Sequence, residues 1–354
     1  MDGHTGRVLY EKRANEKSLI ASTTKIMTAL LICENCNVLQ QITVAPEAVG
    51  VEGSSMYLQA GEKLTVQELL YGLMLSSGND AAVALAIHAA GSMEAFVSQM
   101  NEKAQVLGLD NTHFANPHGL DAAEHYSTAA DLARLAAYAM ENPIFAQTVG
   151  TRQVRVGQRS LSNHNRLLWQ LEGAEGVKTG YTKAAGRILV SSVKRQGRRL
   201  LCVTIDDGND WNDHATLYRQ GFSQAQSQTL VTAGEVLGSM AVFGGEASSV
   251  RLLAGADLSF ALFPGEQVSI RLPVKEFVYA PVTAGTAAGH AYVCVDGRPV
   301  GKIPVYYETT VERLPEKTPS FWQRLFGGYY EGSFAKDPVR PGGCLPAGGG
   351  NHDP

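Results

Sequence analysis

The sequence predicts an α+β domain followed by a small all-β domain, and three observations carry that reading. Helix-like apolar periodicity dominates residues 22–141, and strand-like periodicity takes over from about residue 151. Near residue 233 the pattern changes again, to short β-rich runs bounded by Gly and Pro. Helices set between an N-terminal strand and a block of later strands fit a sheet covered by helices. Short strands at close spacing fit a small β-sandwich.

Each element has a local reason. Residues 5–12 read as the N-terminal strand. Residues 22–34 read as a helix with a polar start and an apolar continuation. Residues 66–107 read as helices broken by a turn at Ser77, because Ser77-Gly78-Asn79 are turn residues. Residues 127–141 form another helical pattern, which ends before Pro143 because the residue preceding a proline disfavours the helical region. The strands that follow are 152–156, 177–182, 187–194 and 199–205, the last two joined as a hairpin across Gln196-Gly197. In the C-terminal part the β-rich runs are 250–253, 267–272, 291–295 and 302–306.

Composition narrows the class. The chain has 354 residues, enough for two domains, with 44% hydrophobic and 18% charged residues. A net charge of −4 without a basic block argues against nucleic-acid binding. Cys33 and Cys36 form a C-x-x-C pair with no second ligand pair at usable spacing, so no metal site is expected. No stretch of about 20 apolar residues is present, so no spanning helix is expected. The sequence opens at Met1 without a charged n-region or an apolar h-region.

Three short motifs carry the chemistry: Ser22-Thr23-Thr24-Lys25, Ser77-Gly78-Asn79 and Lys178-Thr179-Gly180. A serine hydroxyl needs an adjacent base to become a nucleophile. Ser22 and Lys25 stand at i and i+3, on one helix face, and apolar neighbours would lower the Lys25 pKa toward a neutral amine. Read singly, Ser22 reads first as a helix cap, Ser77-Gly78-Asn79 as a plain turn, and Lys178 as a solvated lysine on an edge strand. Their order and wide separation match the serine-nucleophile pattern of penicillin-binding proteins and class A β-lactamases.

With the blocks Thr5–Lys12, Ala21–Ala29, Ser77–Ala81, Asn116–Leu120, His125–Ala129 and Gly176–Thr182, the chain resembles the low-molecular-mass penicillin-binding proteins that are serine-type D-Ala-D-Ala carboxypeptidases. The resemblance implies a β-lactamase/transpeptidase-like domain over residues 1–232, with an antiparallel sheet, covering helices and a helical lobe. It implies a β-sandwich over 233–312 and a tail over 313–354. It implies Ser22 as acylated nucleophile, Lys25 as base, Ser77 as proton shuttle and Asn79 as holder of the substrate backbone. Lys178 would polarise Ser77 and attract the substrate carboxylate, which Thr179 would bind. Gly180 would let the substrate come close, and Tyr181 and Ser22 would supply the oxyanion-hole N–H groups. Some relatives place an Arg before the third motif. Here that stretch holds His164, with Arg166 nearby, as the second carboxylate contact.

The implied substrate is a peptidoglycan stem peptide ending in D-Ala-D-Ala, with β-lactams as acylating mimics, no cofactor and a location in the cell envelope. The aromatic segment 320–330 reads either as a weak membrane-surface contact or as a tail packed on the protein. A β-lactamase, an endopeptidase or transpeptidase of the same superfamily, and a degenerate penicillin-binding protein remain alternatives. No Glu-x-x-x-Asn occurs in the chain, which weighs against the class A β-lactamase.

Overall fold

The computed structural model describes residues 1–315, so most of the segment read as a tail, including residues 320–330, lies outside the described residues. The first part of the chain opens on a 3-10 turn, Ala21–Thr24, that runs directly into α1 (Lys25–Asn35). There follow β1 (Gln41–Thr43), β2 (Lys63–Thr65), α2 (Val66–Leu75), α3 (Asn79–Ala90), α4 (Met93–Val106), α5 (Ala129–Ala139) and α6 (Pro143–Gly150). The hairpin β3 (Gln153–Val156) and β4 (Arg159–Ser162) leads through α7 (Leu167–Gln170) to β5 (Ala174–Thr182), β6 (Gly186–Arg195) and β7 (Arg198–Ile205), and α8 (Asp210–Ser223) closes this part.

The sheet has the order β5-β6-β7, antiparallel throughout, with β5 on one edge. Its continuous hydrophobic core joins α1, α2, α3 and the inner faces of α4, α5 and α6 to Val177, Val190 and Leu201 of the sheet. The helices start where the sequence supplies caps. Thr65 and Glu68 form a reciprocal capping box at α2, and Asn142 caps α6 with Pro143 in its first turn. Gln196 and Gly197 both take positive φ in the β6–β7 turn, as a two-residue hairpin needs.

Residues 5–12, expected as a strand, are not one. The Asp2 carboxylate accepts from the backbone N–H groups of His4 and Thr5 and from the Thr5 hydroxyl, and Gly6 takes positive φ. These bonds turn the chain away from the sheet, and only Met1–Gly3 lie along β7. Pro143 ends one helix as expected but also opens α6. The helix α8 was not foreseen, because its buried stripe is Asp210, His214, Tyr218 and Gly221 rather than aliphatic residues. The spacing is helical, yet the chemistry is polar. Ser191 Oγ and Thr204 Oγ1 hydrogen-bond the two ring nitrogens of the buried His214, and the Tyr218 hydroxyl hydrogen-bonds Ser191.

The C-terminal part is all β: β8 (Gln226–Val231), β9 (Val236–Phe243), β10 (Ser249–Ala254), β11 (Leu258–Leu262), β12 (Val268–Arg271), β13 (Phe277–Tyr279), β14 (Ala287–Val295) and β15 (Arg298–Tyr307). A six-stranded sheet, β12-β14-β15-β10-β9-β13, is covered by the β8–β11 ribbon. Val231, Met240, Val250, Val293 and Val305 form part of the core between them. Strand β8, which precedes residue 233, pairs with β11 and so belongs structurally with this part.

Candidate active site

The Ser22–Lys25 motif occupies the 3-10 turn and the first residue of α1, rather than an uninterrupted α-helix. Ala21 is held at φ 44°, a region non-glycine residues seldom adopt, and this bends the chain into the turn. In 3-10 geometry residues i and i+3 lie in line. Ser22 and Lys25 therefore face one another, with Lys25 Nζ 2.9 Å from Ser22 Oγ. Lys25 is fully buried at the base of α1. Its Nζ also lies 2.7 Å from Asn79 Oδ1 and 2.6 Å from the His118 carbonyl oxygen.

Asn79 opens α3, just after the Ser77 turn, where Ser77 takes φ 59°. Its amide nitrogen donates to Glu52 O at 2.5 Å and its backbone N–H to Ser54 O at 2.7 Å. The neighbouring Asp80 carboxylate accepts from Ser55 Oγ and from the N–H groups of Met56 and Leu58, so the segment before β2 is pinned beside the site. Thr28 of α1 donates to Pro117 O, and the Asn116 side chain caps His118 and Gly119 N–H, which fixes the His118 carbonyl toward Lys25. Gly119 takes φ 96°, and a Cβ there would overlap Ala21 O.

On the other side, β5 passes against the 3-10 turn. A side chain at Gly180 would meet Ser22 N at 3.2 Å and Ile20 O at 3.3 Å. Lys178 is buried, not solvated as an edge-strand lysine would be, and donates to Ser77 Oγ at 3.0 Å and to Thr179 O at 2.9 Å. The structure thus brings Ser22, Lys25 and Asn79 into one bonded cluster and Ser77 and Lys178 into another. Thr179 and Gly180 line the same strand. Tyr181 is 65% exposed beyond them. His164 follows the buried Asn163, and its backbone N–H donates to Leu75 O, close behind the Ser77 turn. Its side chain and that of Arg166 are exposed, and the Arg166 guanidinium makes no hydrogen bond among the described residues.

The electrostatics follow from burial. Desolvation, reinforced by the Lys178 charge and opposed by Asp80, holds the Lys25 pKa well below that of an ordinary lysine. Burial lowers Lys178 to about 7. Burial, and then the Lys25 charge, lowers His118 to about 4. Partial burial and the Lys178 charge also lower His164. Among the described residues no group of three or more His, Cys, Asp or Glu side chains is placed to hold a metal ion.

Sequence reasoning missed the His118 carbonyl, the Glu52 carbonyl and the Thr24–His125 contact. Backbone acceptors leave no trace in residue type. The only available signal was the Asn116–Leu120 block itself, with Asn116 capping a tight turn before a glycine.

The family model described as D-alanyl-D-alanine carboxypeptidase matches residues 1–209, and that of the penicillin-binding protein 5 C-terminal domain matches 226–313. The chain is 33% identical over 317 residues to the D-alanyl-D-alanine carboxypeptidase DacF of Bacillus subtilis, covering 85% of this chain and 82% of that one. It is 32% identical over 331 residues to DacC of Escherichia coli, covering 88% and 83%. The solved structure of penicillin binding protein 5 from Haemophilus influenzae superposes with a TM-score of 0.63 at 28% identity, over 88% of this chain and 96% of that one. The match over the first 209 residues takes in the 3-10 turn, the Ser77 turn and β5, and this chain belongs to the D-alanyl-D-alanine carboxypeptidase family.

Proposed function

We propose that the chain is a serine-type D-Ala-D-Ala carboxypeptidase that removes the terminal D-alanine of peptidoglycan stem peptides through an acyl-enzyme on Ser22. The observation that carries this reading is the set of three oxygens around Lys25 Nζ. A neutral amine has two N–H bonds and one lone pair. The His118 carbonyl and the Asn79 amide oxygen can only accept, so they take the two N–H bonds. The lone pair is left for Ser22, the one partner with a proton to give. A lysine whose pKa is depressed by burial is suited to that task.

In this reading Ser22 Oγ attacks the carbonyl carbon of the penultimate D-Ala while its proton passes to Lys25. Ser22 N–H and Tyr181 N–H stabilise the oxyanion. The C–N bond then breaks, and Ser77, polarised by Lys178, relays a proton to the departing amine of the terminal D-Ala. Water repeats the sequence on the ester and frees Ser22. Thr179 holds the terminal carboxylate, with Arg166 or His164 available as a second cation. A β-lactam acylates Ser22 in the same way. The substrate places the enzyme in the cell envelope.

Release of free D-alanine from a soluble stem peptide tests this directly. The wild type should hydrolyse the free-acid peptide and be about 10-fold or more slower on its C-terminal amide, since a charge-assisted carboxylate contact is strong. Thr179→Val should narrow that difference. Equal rates on acid and amide would remove the carboxylate clamp from the account.

A further inference from the structure

Ser22 N–H and the Ala21 carbonyl belong to one planar peptide unit and point in opposite directions. Whatever holds the carbonyl therefore aims the N–H. Thr24 Oγ1 lies 2.8 Å from Ala21 O and 2.7 Å from His125 Nε2. A carbonyl only accepts, so the Thr24 hydroxyl proton goes to Ala21 O, and His125 Nε2 must carry a proton and donate it to Thr24. The other ring nitrogen agrees with this tautomer, because Ala115 N–H donates to His125 Nδ1 at 3.0 Å. The result is one directed chain: Ala115 N–H to His125, His125 to Thr24, Thr24 to Ala21 O.

The members that act on the Ala21 carbonyl are buried: Thr24 and His125 are 0% and 1% exposed, and Ala21 is 1% exposed. The chain acts on the strained residue. A non-glycine at φ 44° sits in a sparsely populated region and persists only where its surroundings hold it. Neither Thr24 nor His125 hydrogen-bonds to Lys25, Ser77 or Lys178, so the proton-transfer groups are independent of this chain.

We propose that Thr24 and His125 are positioning residues that fix the Ala21–Ser22 peptide, so that Ser22 N–H is aimed into the oxyanion hole. This rests on the reading of Ser22 as the acylated serine. It adds two residues that touch neither the substrate nor the base. Thr24→Val removes the bridge. His125→Asn keeps an acceptor for Ala115 N–H but leaves no ring N–H to reach Thr24. Thr24→Ser keeps the hydroxyl.

The test is the carbonyl stretch of the penicilloyl ester, read by isotope-edited infrared spectroscopy on the full chain, together with acylation kinetics. An oxyanion hole polarises this carbonyl and lowers its frequency. Thr24→Val and His125→Asn should raise the frequency and slow acylation by about 10- to 100-fold, somewhat less than outright loss of a donor. The initial non-covalent dissociation constant should stay within about threefold. Thr24→Ser should restore both band and rate. If either folded variant shows a wild-type band and rate, the inference is overturned while the acyl-enzyme reading stands. If the wild type itself forms no penicilloyl ester, the acyl-enzyme reading fails and takes the inference with it.

Discussion

Two buried lysines, Lys25 and Lys178, share one site, and their pKa values are displaced in ways that suit different tasks. Lys25 is pushed down by burial and by Lys178, and it must be neutral to accept a proton. Lys178, lowered by burial to about 7, donates to Ser77, and in the proposed mechanism it acts through its charge. A lysine with a lowered pKa loses its charge as pH rises through that value. The acylation rate constant at low penicillin reports the free enzyme, so it should fall as pH rises past about 7. Lys178→Arg should keep the charge and move that alkaline limb upward, because arginine stays protonated. Lys25→Arg should lose about 10²- to 10⁴-fold at every pH, because it cannot accept a proton. Stopped-flow acylation across pH 5–10 checks both variants. An alkaline limb unmoved in Lys178→Arg would assign that limb to another group.

At the scale of elements, legibility followed side-chain pattern and stopped where backbone conformation decided. The strands β5, β6 and β7 were readable because they are short runs rich in apolar and β-branched residues and Gln196-Gly197 marks the β6–β7 hairpin. The i,i+3 pairing of Ser22 and Lys25 was readable from spacing. That the pair rides on a 3-10 turn was not, because it depends on positive φ at an alanine. The false strand at 5–12 carries the strand-forming run Val8-Leu9-Tyr10, but the Asp2 side chain competes for the backbone N–H groups that a strand would use. In α8 a polar stripe replaces the aliphatic one, so a search for apolar periodicity passed over it. Within the site, the side chains of all three motifs were legible, and the carbonyls that orient Lys25 were not.

At the scale of the whole molecule, the two parts meet through Arg198. This β7 residue is fully buried and ion-paired to Asp2 at 2.8 Å and to Glu266 at 2.5 Å, and its Nε donates to Ala261 O. Phe260 and Phe263 stack on its guanidinium, with centroids 4.8 Å and 4.2 Å away. Phe263 also enters the core of the sheet side, beside Val193, Leu200 and Tyr218. These contacts place part of the β-rich region in the same core as the sheet. Breaking one arm of a buried charge pair leaves a partly compensated guanidinium. Glu266→Gln in the full chain should therefore cost about 1–3 kcal/mol and lower the melting temperature by several degrees. It should leave the acylation rate within about twofold, since every proposed site residue precedes Phe260. Calorimetry alongside penicillin labelling checks both halves. An unchanged melting temperature would mean that the Arg198 cluster does not tie the two parts together.

The central claim is that Ser22, facing neutral Lys25, is the acylated residue. Intact mass of the full chain after penicillin treatment, followed by peptide mapping, tests it most directly. The account predicts one penicilloyl adduct per chain, located on Ser22, and none on Ser22→Ala that is otherwise folded. An adduct on Ser77 or any other residue, or full labelling of Ser22→Ala, would contradict it.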